Sequence, residues 1–136
     1  MSRRSRAREV VLQILYEDDL NPRRDLSVSD RFLCGRLNHD DGLIEFARDL
    51  LAGVRRNRRD LDKSLEERAE NWSLARMAVT DRNILRLGAF EMLYTETPVR
   101  VVINEAVELA KRYGARQSSQ FVNGLLDRLL RDKNEI

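Results

Sequence analysis

The chain has 136 residues, 42% hydrophobic and 35% charged, and its 25 Lys and Arg against 23 Asp and Glu give a formal net charge of +2. That composition suits one helical globular unit, expected to span residues 1–136 as a single domain, and is too evenly charged for a polycation. No apolar run approaches the roughly 20 residues of a membrane span, the basic start lacks an apolar h-region, and one cysteine with one histidine falls short of a soft four-ligand metal site. A cytoplasmic protein without membrane, metal or cofactor is therefore expected.

From Ser5 to about Glu17, the spacing of Ala7, Val10, Val11, Ile14 and Leu15 predicts an amphipathic helix. Its first turn is basic: Arg3, Arg4, Arg6 and Arg8 come before the first acid, Glu9. Cations there oppose the helix dipole, so local stability does not account for them, whereas a bound anion would. Either a phosphate-bearing partner or a solubilising basic tail fits this pattern. Asn21-Pro22 breaks the chain, and a polar connector leads to a short helix around Asp30–Arg36, with Phe32 and Leu33 toward the core. Cys34 and His39 are five residues apart; nothing nearby would orient the histidine as a base, and a structural cysteine is the plainer reading.

Asp40-Asp41-Gly42 introduces a stronger helix with Leu43, Phe46, Ala47, Leu50, Leu51 and Val54 on one face. Gly53 within that face predicts a close helix approach. The run Arg55-Arg56-Asn57-Arg58-Arg59 is expected to close the helix, where cations suit the dipole; a second RNA contact is the alternative. Leu61, Leu65 and Ala69 continue into a further helix ending near Asn71-Trp72, with Trp72 as a core anchor. Ser73 is expected to cap a short turn containing Leu74 and Met77. Thr80-Asp81 then starts the central helix, with Ile84, Leu85, Gly88, Ala89, Met92 and Leu93 inward and the small pair admitting a neighbour.

After Thr97-Pro98, Val102, Ile103, Ala106, Val107, Ala110 and Tyr113 fall on a 3, 4, 3, 4 spacing. Gly114 is expected to stop that helix in a left-handed conformation, and Ser118 or Ser119 to cap the last one, which carries Phe121, Val122, Leu125, Leu126, Leu129 and Leu130. Glu105 and Glu108 share one helix with Lys111, which reads as surface pairing rather than a catalytic carboxylate pair. Asn104 and Asn123 are expected as buried hydrogen-bonding groups between helices. Single-stranded RNA is held by cations on phosphates and flat faces under bases, and the arginine cluster with Tyr113 and Phe121 supplies both residue types. Those two aromatics equally suit a core.

The segments RAREVVLQILYE, FARDLLAGV, NWSLARMAVTDRNILRLGAFEML, INEAVELAK and FVNGLLD, in that order, resemble the NusB family of transcription antitermination factors. The resemblance implies an all-α fold of about seven helices in two packed helical bundles, with no enzymatic activity. It further implies binding of boxA RNA together with NusE, a small-subunit ribosomal protein, within the elongating RNA polymerase complex, notably on ribosomal RNA operons. Carried onto this chain, RNA contact falls to Arg3, Arg4, Arg6, Arg8, Tyr113, Gln117 and Phe121, and the NusE face to Tyr16 and Asp81. Family members differ in self-association, which leaves monomer and homodimer both open. NusB-like modules also occur fused ahead of methyltransferase domains that act on ribosomal RNA, but these 136 residues offer no room for one and no Gly-rich nucleotide loop.

Overall fold

The structure is a computed structural model and describes residues 2–70 and 73–134; Trp72, the expected core anchor, lies outside the described residues. Among the described residues, six α-helices appear in the order α1 (Arg3–Leu20), α2 (Leu26–Arg36), α3 (Asp41–Arg68), α4 (Val79–Tyr94), α5 (Val99–Tyr113) and α6 (Ser118–Asn134), with one 3-10 turn at Leu74–Arg76. There is no strand among the described residues. Helices α1 to α3 form one packed group and α4 to α6 another, joined where α4 lies against α1 and α3. The all-α, two-bundle expectation is met, with six α-helices among the described residues in place of about seven, since two expected helices are one continuous α3.

Helices α1, α2 and α3 begin where short polar side chains take the first free backbone N–H groups. Ser2 accepts from the Ser5 N–H at 3.1 Å, Asp25 from Ser27 at 3.0 Å and Asp40 from Leu43 at 3.1 Å. Asp25 moves the start of α2 to Leu26, ahead of the expected Asp30. Within α2, Leu33 is fully buried while Phe32 is exposed, so only one of the two reaches the core.

Every residue from Asn83 to Met92 is buried, as expected of a helix covered on all sides. Two fitted glycine contacts make this possible. A Cβ on Gly53 would overlap the Phe90 ring, and one on Gly88 would sit 3.0 Å from Leu126 and 3.6 Å from Ala106. Both close approaches were legible as small residues on apolar faces. At Gly53 the approach offsets roughly 1 kcal/mol of lost helix propensity.

Several local expectations are corrected. The arginine run does not close a helix: α3 continues unbroken to Arg68, and Arg55 and Arg58 reach back to Asp18 and Asp19 at 2.8 Å and 2.6 Å. Long-range pairing, not the dipole, neutralises Arg55 and Arg58. Gly114 is extended at φ −90°, ψ −177°, and is needed for space, since a Cβ would lie 2.6 Å from the Ser118 side chain and 2.7 Å from the Ala110 carbonyl oxygen. Ser118 opens α6 but bonds backward, accepting from the Ala115 N–H at 2.8 Å, and Ser73 makes no side-chain cap bond. Asn104 and Asn123 are exposed, because Val102, Ala106, Leu109 and Val122, Leu125, Leu126 take the inward positions of their helices.

Candidate nucleic-acid interface

The basic first turn of α1 divides into surface and interior. Arg4 and Arg6 are exposed, while Arg3 pairs with Asp40, the residue that caps α3. The Leu43 N–H and the Arg3 guanidinium together hold the Asp40 carboxyl below its ordinary range. Arg4 lays its guanidinium 4.5 Å over the centroid of the Phe46 ring, a cation–π arrangement that orients a long side chain. Arg8 points inward instead. It is 3% exposed and donates through Nε and Nη2 to both carboxylate oxygens of Glu91, at 2.6 Å and 2.8 Å, with Glu105 a further 3.6 Å contact. Burial alone would lower its pKa, yet the Glu91 bonds and charge outweigh that and raise it, so the Arg8 guanidinium keeps its charge in the interior.

The corner between α5 and α6 lies toward the other end of α1. Ser5 donates to Glu105 at 2.6 Å and Arg112 donates to Glu9 at 2.8 Å, so α1 and α5 run side by side in the same sense. Tyr113, 40% exposed, therefore sits beyond Glu9; burial first, then the neighbouring Glu9 carboxylate, push its pKa up. It borders a depression of about 510 Å³ with Leu12, Tyr16, Phe32 and Thr80. Tyr16, 38% exposed, lines the same depression.

Gln117 and Phe121 line a different depression, on the far side of the α4 start, with Asp81, Met77 and Ser118. Asp81 Oδ2 accepts from the Ser118 hydroxyl at 3.0 Å, while its buried Oδ1 has no hydrogen-bond partner among the described residues. The arrangement answers a question the sequence left open. Tyr113 is brought together with Tyr16, and Gln117 and Phe121 with Asp81, but the arginines are not gathered with any of these aromatics. Phe121 is half-buried against the core, so both halves of the core-or-surface alternative hold for the pair.

Sequence reasoning missed the aromatics that do stand beside the arginines. Phe46 reads as one more member of a buried stripe. Tyr94 ends α4 one turn after Phe90, and their rings stack at 5.4 Å and 18°. An aromatic pair at i, i+4 on the last turn of a helix was the available signal. Elsewhere, Cys34 is half-buried with its sulfur 3.3 Å from an Arg48 nitrogen, and Glu108 pairs with Lys111 at 3.6 Å as expected. No described helix is long and apolar enough to cross a membrane.

This fold and sequence have well-defined relatives. The model of the NusB family matches residues 5–131. Transcription antitermination protein NusB of Anaeromyxobacter dehalogenans is 45% identical over 128 residues, covering 94% of this chain and 90% of its own length. That of Desulfitobacterium hafniense is 42% identical over 137 residues, covering 99% and 92%. Among solved structures, T. maritima NusB aligns at TM-score 0.85 and 35% identity over 100% of this chain and 99% of that one. A crystal structure of antitermination factors NusB and NusE in complex with dsRNA aligns at 0.86 and 25% identity, covering 97% and 98%. Similar from end to end in both sequence and helix arrangement, the chain belongs to the NusB family.

Proposed function

We propose that this chain is a transcription antitermination factor that binds boxA RNA together with NusE and joins the elongating RNA polymerase complex, notably on ribosomal RNA operons. The observation that carries the RNA half is the exposed arginine turn: Arg3, Arg4 and Arg6 stand at the positive end of α1, where a bound phosphate would relieve their mutual repulsion. Support for the partner half comes from the relative crystallised as NusB and NusE with dsRNA. On this reading the protein performs no bond chemistry. It holds a nascent transcript by its backbone and bases and presents it, with NusE, to the polymerase. Tyr16 on α1 and Asp81 in the first turn of α4 are the proposed NusE contacts, and Tyr113, Gln117 and Phe121 extend RNA contact toward that end.

The test is fluorescence anisotropy of a boxA-like single strand, its scramble and a duplex, with and without NusE, across a salt series. The boxA strand should bind best and NusE should tighten it. Each phosphate neutralised on a single strand contributes about 0.7 to the logarithmic salt slope, so three surface arginines give a slope of about 2. Equal binding of boxA and scramble would reduce the protein to a charge-only binder. No binding at low salt even with NusE would refute the RNA assignment.

A further inference from the structure

An arginine cluster holds a single strand by its phosphates, but register and residence come from a flat face under a base. The start of α1, the first half of α3 and the connector after α4 enclose a groove of about 690 Å³ lined by Arg4, Phe46, Asp49, Tyr94, Glu96 and Val101, among others. Tyr94 is 51% exposed and stands on the last turn of α4 with one ring face stacked on Phe90. Phe90 is itself buried over Gly53, so the lower ring is fixed by the contact between α3 and α4. Half-open and supported from beneath, the Tyr94 ring is a rigid aromatic surface that loses little side-chain entropy on binding. Arg4, held over Phe46, borders the same groove.

We propose that Tyr94 is a base-stacking platform and Arg4 its adjoining phosphate contact, together seating one nucleotide of a single-stranded RNA in this groove. The proposal rests on the RNA-binding reading above and deepens it by naming a stacking residue beside the arginines. The groove's acids fit the same picture. Glu105 is already occupied by Ser5 and Arg8. Asp49 and Glu96 are exposed and repel phosphate, but a carboxylate accepts from the amino edge of a base, so the strand's backbone belongs on the Arg4 side and the base on the Tyr94 side.

The experiment compares Tyr94→Ala, Tyr94→Leu, Tyr94→Phe and Arg4→Gln with the unaltered protein, using the boxA-like strand, a salt series and thermal melts to verify folding. Tyr94→Leu keeps apolar cover on Phe90 without a π face, so it separates stacking from packing. Both Tyr94→Ala and Tyr94→Leu should weaken binding roughly five- to a hundredfold with an unchanged salt slope, while Tyr94→Phe retains affinity. Arg4→Gln should lower the slope by about 0.7. Wild-type affinity in a folded Tyr94→Leu protein would overturn the platform while leaving the RNA reading intact. So would loss of NusE pairing without loss of RNA binding, which would give the groove to a protein. If the unaltered protein binds no RNA with or without NusE, the platform and the RNA reading fall together.

Discussion

Replacing Arg8 separates its place inside the protein from the surface role its sequence neighbours suggest. Its guanidinium and the Glu91 carboxylate are 3% and 2% exposed and meet in a two-bonded pair at 2.6 Å and 2.8 Å. Arg8→Met leaves Glu91 buried without its cation, at a cost of about 3–5 kcal/mol. For a chain of this length that corresponds to a fall in Tm of about 10–17 °C. The double variant Arg8→Met with Glu91→Leu removes both charges and keeps the volume, so its stability should return to within about 1 kcal/mol of the starting protein or exceed it. Urea unfolding followed by far-UV circular dichroism gives both values, with an unchanged m confirming that the same surface is exposed. The folded double variant should then bind the boxA-like strand with the original affinity and salt slope. A single-variant loss under about 1 kcal/mol would show that the Glu91 site is not dry; reduced RNA affinity in the folded double variant would put Arg8 back among the phosphate contacts.

The Asp19 carboxylate, 2% exposed, accepts from Arg58, Arg82, Asn83 and Arg86 at 2.6–3.0 Å. Burial alone would raise its pKa, but the Asn83 and Arg82 bonds and the Arg86 and Arg58 charges lower it, so its stabilisation is complete above the ordinary value near 4 and lost as pH falls through the lower folded value. Asp19→Asn should therefore destabilise at pH 7 and flatten the acid limb of the stability curve, as read by urea midpoints from pH 7 to 2; an unaltered acid limb would remove Asp19 from it. Gly53→Ala drives a Cβ into the Phe90 ring, and overpacking of about 1–3 kcal/mol outweighs the roughly 1 kcal/mol of helix propensity gained. Adding Phe90→Leu should recover stability, and a more stable Gly53→Ala would show that the ring gives way freely. Asp81→Lys should weaken pairing with NusE in a titration, with Ser118→Ala as the control for the corner bond that Asp81 accepts. Unchanged pairing would take Asp81 off that face.

What could be read from sequence was whatever repeats within a few turns. The inward stripes of α4 and α6, that of α5 through Val102, Ala106 and Ala110, and the close approaches at Gly53 and Gly88 are local patterns, and they survive in the structure, whereas Tyr113, expected inward, is exposed and Leu109 is buried. What could not be read depends on partners far along the chain. Arg55 and Arg58 resemble a helix-ending charge run because their acids, Asp18 and Asp19, are 37 and 39 residues away. Arg8 resembles its surface neighbours because Glu91 is 83 residues away. Gly114 was read as a conformational requirement when the requirement is space, set by Ser118 folding back over it. The candidate site divides the same way: residue types that contact RNA were visible, but which aromatic stands beside which arginine is a tertiary fact.

That tertiary fact sets a length scale for the proposed transcript. Val101 borders the Arg4 groove and Tyr113 borders the Tyr16 depression, and the twelve-residue step from one to the other along α5 spans about 18 Å. A strand touching both ends must follow the seam between α1 and α5. There Glu9 is matched by Arg112 and Glu108 by Lys111, while Glu105 shares the Arg8 guanidinium with Glu91, so the seam does not draw phosphate. Affinity then comes from the two ends, and only the corner end adjoins the proposed NusE residues. A strand too short to leave the Arg4 and Tyr94 groove should bind this protein equally well with and without NusE, whereas one long enough to reach Tyr113 should gain from it. Shortening the strand nucleotide by nucleotide in the anisotropy assay should show the NusE enhancement disappearing as a step; enhancement that persists in the shortest strand that still binds would place the partner at the arginine end.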